Sequence, residues 1–281
     1  VALGRSAAVV IGSFPLAESD VLVTFFTRQH GKLHGVARRA RRMRSRFGGA
    51  LETFTLGELI FFDGGRSDLV QVDHFDIVRP FARLREDLER LGQAAWVVEC
   101  AGRLTAERDP HPVVYGLLVR ALGSIDAGEP PARTAVAFGV RCVDALGHRL
   151  RIDRCVMCGG SPGDPGAGAA LDVTGGGALC PRCAAATPGA LGLSAAGLRA
   201  LRRLRVSSWA EATATPLGAA EGELRRVLEA HLTYLSGRPP RAARFLRDVA
   251  RLSPDAGRRD AGRLSPEAGR DAARLAPDAG R

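Results

Sequence analysis

A multidomain α+β chain is what this sequence predicts: an N-terminal five-stranded barrel, then a helical domain that carries a four-cysteine insertion. Three observations lead there. The first eighty residues alternate apolar and polar positions in short runs, the apolar spacing then changes to three and four, and two Cys-x-x-Cys turns interrupt the helical part. At 281 residues with 46% apolar side chains, the chain is long enough for two modest domains with ordinary cores.

The predicted strands cover residues 7–14, 21–27, 33–40, 55–62 and 69–75. Gln29-His30-Gly31-Lys32 forms the tight turn between the second and third, and Asp63-Gly64-Gly65-Arg66 the turn between the last two. Five strands without a long helix in about seventy residues fit a small closed barrel. The OB-fold is the five-stranded barrel that habitually binds oligonucleotides, and an SH3-like barrel would share the strand pattern.

After Arg79-Pro80 the apolar stripes are helical. Phe81, Leu84, Leu88 and Leu91 share one face, then Trp96, Val97, Cys100 and Leu104, then Val114, Leu117, Leu118, Ala121, Leu122 and Ile125. These stripes are read as core, with Cys100 and Cys142 as small buried side chains. Asp109-Pro110-His111-Pro112 and Gly128-Glu129-Pro130-Pro131 separate the helices. A further helix runs over residues 134–147. Helices resume at Ser194, an N-cap, and again over residues 221–236. The expected division is a barrel over 1–79, helical parts over 80–150 and 189–248, an insertion over 151–188, and a tail over 249–281.

The charge is unevenly placed. Residues 21–51 contain no Asp or Glu but hold Arg28, Lys32, Arg38, Arg39, Arg41, Arg42, Arg44 and Arg46, whereas the whole chain carries a formal charge of only +10. Composition explains why these cations are Arg, since Lys32 is the only lysine, but it leaves the missing acids unexplained. A focal excess of this kind suits a polyphosphate backbone, an acidic membrane face or an acidic protein tail. Its position after a hairpin of the barrel favours nucleic acid. Aromatic residues are 5% of the chain, so stacking on bases has few rings near the basic stretch: Phe14, Phe25, Phe26, Phe47 and Phe54.

Cys155-Val156-Met157-Cys158 and Cys180-Pro181-Arg182-Cys183 are separated by a segment rich in Gly, Pro and Ala. Each turn offers two thiolates at the spacing that grips one tetrahedral ion, and two turns complete a closed site. Structural zinc is the expectation. Two disulfides, a redox Cys-x-x-Cys pair and an iron–sulfur cluster are the competing readings. A catalytic zinc would keep an open position and a general base. None of the six histidines is followed two places later by Glu, as a zinc deaminase requires.

No apolar run reaches the roughly 18 residues of a membrane span, and the apolar start of the chain reads as a strand, not a signal peptide. The reading is therefore a cytoplasmic protein without membrane contact. At the far end, RLSPDAG at 251–257 recurs as RLSPEAG at 263–269 and RLAPDAG at 274–280. That repeat is too rich in Pro, Gly and charge to bury a core and reads as a disordered tail.

The arrangement resembles the bacterial DNA repair protein RecO family. The resemblance rests on AESD at 17–20, on FTRQHGKLHGVARRARRMRSRFGGALETFTLGEL at 26–59, on the four cysteines, and on SGRPPRAARFL at 236–246. It implies an OB-fold domain, a helical domain and a zinc element in a non-enzymatic recombination mediator, cytoplasmic and nucleoid-associated. Such a mediator binds single- and double-stranded DNA, anneals strands, binds the C-terminal tail of single-stranded DNA-binding protein, and works with RecR to load RecA. Residue by residue, Lys32, Arg38, Arg39, Arg41, Arg42, Arg44 and Arg46 would contact DNA, and Cys155, Cys158, Cys180 and Cys183 would hold zinc. An RNA-binding OB and zinc module of the translation apparatus is the alternative. A hydrolase finds no support, since the chain has no P-loop, paired-carboxylate motif or activated nucleophile.

Overall fold

The computed structural model describes residues 2–43, 45–65, 67–164 and 166–252. The tail repeat falls outside them from residue 253 on, as does the candidate site residue Arg44.

Five strands form the N-terminal domain: β1 (Ala2–Pro15), β2 (Val21–Thr27), β3 (Gly31–Ala37), β4 (Leu56–Asp63) and β5 (Leu69–Arg79). β1 pairs with both β2 and β4, and β3 runs parallel to β5, so the order β1-β2-β3-β5-β4 closes on itself in the OB manner. Alternation sets the faces. Along β3, Gly31, Leu33, Gly35 and Ala37 are buried while Lys32, His34 and Val36 face outward, half-buried. Val10, Phe25, Leu59, Phe61, Val72 and Phe75 fill the interior. The loop 38–55 adds Phe47, Ala50 and Leu51 to that core, so it is anchored at its far end.

A short 3-10 turn (Ala82–Arg85) leads into α1 (Leu88–Leu104), α2 (Pro112–Ala127) and α3 (Pro131–Ala145). Phe81 and Leu84 are buried as expected, but Phe81 precedes the helix with φ of 45° and Leu88, the first residue of α1, is exposed. Asp87 caps α1 by accepting the Arg90 N–H, which fixes the helix start seven residues beyond Phe81, the first residue of the predicted stripe. The insertion folds as β6 (Ala169–Asp172), β7 (Gly177–Leu179), a short α4 (Pro181–Ala185) and β8 (Leu191–Leu193). Then come α5 (Ala195–Val206), capped by Ser194 as read, α6 (Trp209–Ala214), α7 (Ala219–Ser236) and α8 (Arg241–Leu252).

Barrel and helices share one continuous core. Val9, Phe26 and Phe54 of the barrel domain pack in the same cluster as Trp96, Phe138 and Leu228 of the helices. Gly31 shows how close the approach is. Its φ is +67°, and a Cβ there would stand 2.3 Å from the Asp109 carbonyl oxygen, so only glycine fits the turn.

Candidate nucleic-acid interface and metal centre

The arginine loop begins where β3 ends. Arg38, Arg39 and Arg42 are exposed, and among the described residues their guanidinium groups have no hydrogen-bond or ion-pair partner. The backbone beneath them is held. Arg39 sits in the left-handed region with φ of 57°, where its N–H donates to Asp20 Oδ1 at 2.8 Å, and the Arg41 N–H donates to the Ser19 carbonyl at 3.0 Å. The Arg41 guanidinium donates to the Ala17 and Glu18 carbonyls at 3.3 and 3.4 Å. The β1–β2 connection thus serves as the seat of the loop. Arg46 lies 3.6 Å from Asp73 and over the Phe47 ring at 5.0 Å, which ties the loop's far end to the barrel. Beneath the loop is a cleft of about 650 Å³, lined in part by Ser13, Val21, Arg41, Phe54 and Arg85.

The four cysteines converge. All four sulfurs lie within 4.8 Å of one another, and Cys158 and Cys180 are 3.7 Å apart. Four sulfurs around one ion at the usual zinc–sulfur distance of about 2.3 Å stand about 3.8 Å apart, so the donor set fits a tetrahedral metal. Both turns curl back on themselves: the Gly159 N–H donates to the Cys155 carbonyl at 2.9 Å and the Ala184 N–H to that of Cys180 at 2.8 Å. Backbone N–H groups of Cys158 and then Cys180 point at the Cys155 sulfur and pull its thiol down to about 6. The Cys183 thiol is pushed up to about 12, first by its hydrogen bond with Cys180. A cation resolves that opposition, because it favours the thiolate at every corner. Gly177 permits the fold here, since a Cβ would stand 2.2 Å from the Arg151 carbonyl oxygen. Cys100 and Cys142 are elsewhere and buried; desolvation pushes Cys142 up to about 12.

Comparison with known proteins matches both parts of the chain. The family model described as Recombination protein O N terminal matches residues 3–81, and that described as Recombination protein O C terminal matches residues 85–244. The chain belongs to the RecO family. The DNA repair protein RecO of Anaeromyxobacter dehalogenans (strain 2CP-C) is 39% identical over 245 residues, covering 87% of this chain and 96% of that protein. RecO of Myxococcus xanthus is 33% identical over 243 residues, 86% of this chain and 96% of that one. RecO of Geobacter sulfurreducens is 36% identical over 255 residues, covering 87% and 98%.

Within this RecO fold, two sets of expected site residues are placed otherwise than local pattern suggested. Lys32 stands at the opposite end of β3 from Arg38, roughly 20 Å along the strand. Its ammonium donates to the Gly102 and Thr105 carbonyls at 2.8 and 3.0 Å, at the C-terminal end of α1. Burial lowers its pKa, against the opposing pull of Glu107. Lys32 is therefore a tie between domains and is not brought to the arginines. The rings divide likewise: Phe25, Phe26, Phe47 and Phe54 are core, whereas Phe14 is 59% exposed.

The SGRPPRAARFL stretch of the RecO resemblance proves structural. Gly237 turns the chain with φ of 73°, Arg103 donates to the Arg238 and Pro239 carbonyls, and Glu99 accepts the Arg241 and Ala242 N–H groups at 2.9 Å each. α8 then lays Ala242, Ala243 and Leu246 against the helical core. Among the described residues no helix is long and apolar enough to cross a membrane.

Proposed function

We propose that this chain is a DNA-binding recombination mediator of the RecF-pathway type, which holds single- and double-stranded DNA, anneals complementary strands and helps load recombinase on coated single strands. It acts by binding and not by catalysis. One observation carries the reading. Among the described residues, the guanidinium groups of Arg38, Arg39 and Arg42 have no partner, on a backbone that Asp20 and Ser19 hold in place. Fixed cations without internal partners are suited to phosphates, which position a strand without reading its bases. Arg41 and Arg46 extend the track, and Arg44, which lies outside the described residues, belongs to the reading by sequence alone; Lys32, committed to two carbonyls, does not extend it. Competitive binding of single-stranded DNA, duplex DNA and matched RNA at two salt concentrations tests it. DNA affinity should fall with the logarithm of salt at about 0.7 per neutralised phosphate for single strands. A preference for RNA would favour a translation module instead.

The metal held by Cys155, Cys158, Cys180 and Cys183 is zinc in this reading, and its place is structural. It supplies four bonds to a segment whose own apolar side chains are small. Elemental analysis should give about one zinc per chain; iron with visible absorbance would overturn it. Cys155→Ser should loosen the insertion more than it weakens DNA binding.

RecR, RecA by way of loading, and the acidic tail of single-stranded DNA-binding protein are the partners that family membership supports, and the bacterial nucleoid is the corresponding place of action. A cleft of about 590 Å³ between barrel and α2, lined in part by Arg28, Arg79, Arg120, Tyr115 and Val119 and by one acid, Glu129, has the excess of cations and the apolar floor that such a tail needs. Fluorescence anisotropy with the tail peptide, and with one lacking its last residues, tests this; equal binding of both removes the specific groove.

A further inference from the structure

Beyond the arginines, the outer face of β1, β2 and β3 carries a feature that phosphate binding does not use. Register places Phe14 opposite Leu22 and Leu22 opposite Val36, so three apolar side chains form one row across three strands. The next row is Gly12, Thr24 and His34. Both rows lie on the outward side, as the alternation along β3 requires: His34 and Val36 face away from the buried Leu33, Gly35 and Ala37.

Phe14 is the open end of that row. It is 59% exposed, belongs to neither buried cluster, and has Leu16 beside it at 49%. Its ring edge lies 3.3 Å from where a Cβ of Gly12 would stand, so the ring reclines along the strand over a glycine that leaves the surface flat. An exposed ring on a flat strand face adds nothing to the core.

The cationic loop adjoins this row. Arg38 follows the last residue of β3, and Ala37 pairs with Val21, which pairs with Pro15, the neighbour of Phe14. Along the strands that is two residue rises, roughly 7 Å, and across them two strand spacings, roughly 10 Å. Arg41 reaches the carbonyls of Ala17 and Glu18, only three and four residues beyond Phe14. Glu18 is the single acid within that short connection before Asp20. A flat apolar row bordered by fixed cations matches a ligand that presents flat rings and phosphates at once. That is a nucleic acid strand with unpaired bases, not an apolar peptide.

We infer that Phe14 is a base-stacking residue, with Leu22 and Val36 extending its platform, and that it gives this chain its grip on unpaired bases. The inference rests on the DNA-binding reading above and assigns what the arginines cannot supply, a preference for single strands. In a duplex the bases already stack on each other and leave the ring nothing to cover. Stacking on an aromatic side chain is tolerant of sequence and strong enough to be seen in one substitution.

The test compares Phe14→Ala, Phe14→Trp and the triple variant Arg38→Ala, Arg39→Asn, Arg42→Ala in the full chain, each against an oligo-dT strand and a duplex of equal length. Phe14→Ala should weaken oligo-dT binding by about tenfold, leave the salt slope unchanged and spare the duplex. Phe14→Trp should keep the affinity, and its exposed indole should quench on oligo-dT. Unchanged oligo-dT affinity for Phe14→Ala would overturn the platform, as would an equal loss on both ligands. If the arginine variant flattens the salt slope while Phe14→Ala does nothing, the DNA-binding reading stands and only the platform falls. If neither variant weakens binding, both fall.

Discussion

The two ends of the barrel treat their cations in opposite ways. At the helical junction several cations have partners. Lys32 donates to two carbonyls, Arg108 pairs with Asp63 at 2.6 Å, and Arg79 with Asp126 at 3.0 Å. At the other end Arg38, Arg39 and Arg42 have none among the described residues, while the peptide groups beneath them are tied down. The difference teaches that charge density alone does not locate a binding face. What locates it is charge left unsatisfied on a backbone that is satisfied.

The sharpest way to break this contrast is to remove cations at each end and compare the losses. Arg38→Ala, Arg39→Asn and Arg42→Ala together should flatten the single-strand salt slope by about two units, since three contacts at about 0.7 each disappear. Asn is chosen at position 39 because it tolerates the left-handed backbone there. Urea unfolding should hardly change, because exposed side chains without partners add little to stability. A preserved slope would show that these arginines are merely solvated. Lys32→Met should do the reverse. It keeps the apolar stem but leaves the Gly102 and Thr105 carbonyls without their donor, at a cost of about 1–3 kcal/mol in unfolding free energy. The salt slope should stay as it was; a flatter one would place Lys32 on the DNA track after all. The smallest effect belongs to Arg46→Ala. Its cation is already shared with Asp73 across 3.6 Å at the surface, so a change of about 0.2–1 kcal/mol in stability is the most expected.

How far the sequence could be read followed the range of the interactions. β2 is found with its predicted bounds because VLVTFFT is β-branched or aromatic at every position but Leu22 and is flanked by polar turns. Ser194 and the two Cys-x-x-Cys turns are equally local signals. α6 is legible too: Ser208 and Glu211 form a capping box, and their three-residue spacing is visible in the chain. α8 was likewise hidden in plain sequence, with Ala242, Ala243 and Leu246 at helical spacing behind two prolines. The role of Lys32 was not legible, since its partners lie 70 and 73 residues away. Nor was the division of the phenylalanines. Phe14 and Phe26 both occupy outward strand positions, and only the helices packed over one of them decide which is core.

The tie at Lys32 has a chemical consequence, because it involves the only lysine side chain in the sequence. Acetylation and amine-reactive crosslinkers act on primary amines, so they cannot erase the charge of the arginine loop. The half-buried lysine amine is held against the end of α1, and reagents reach it more readily as that contact opens. Acylation of this one nitrogen, followed over time, would therefore act as a clock on the parting of barrel and helices, read without any label on the DNA-binding face.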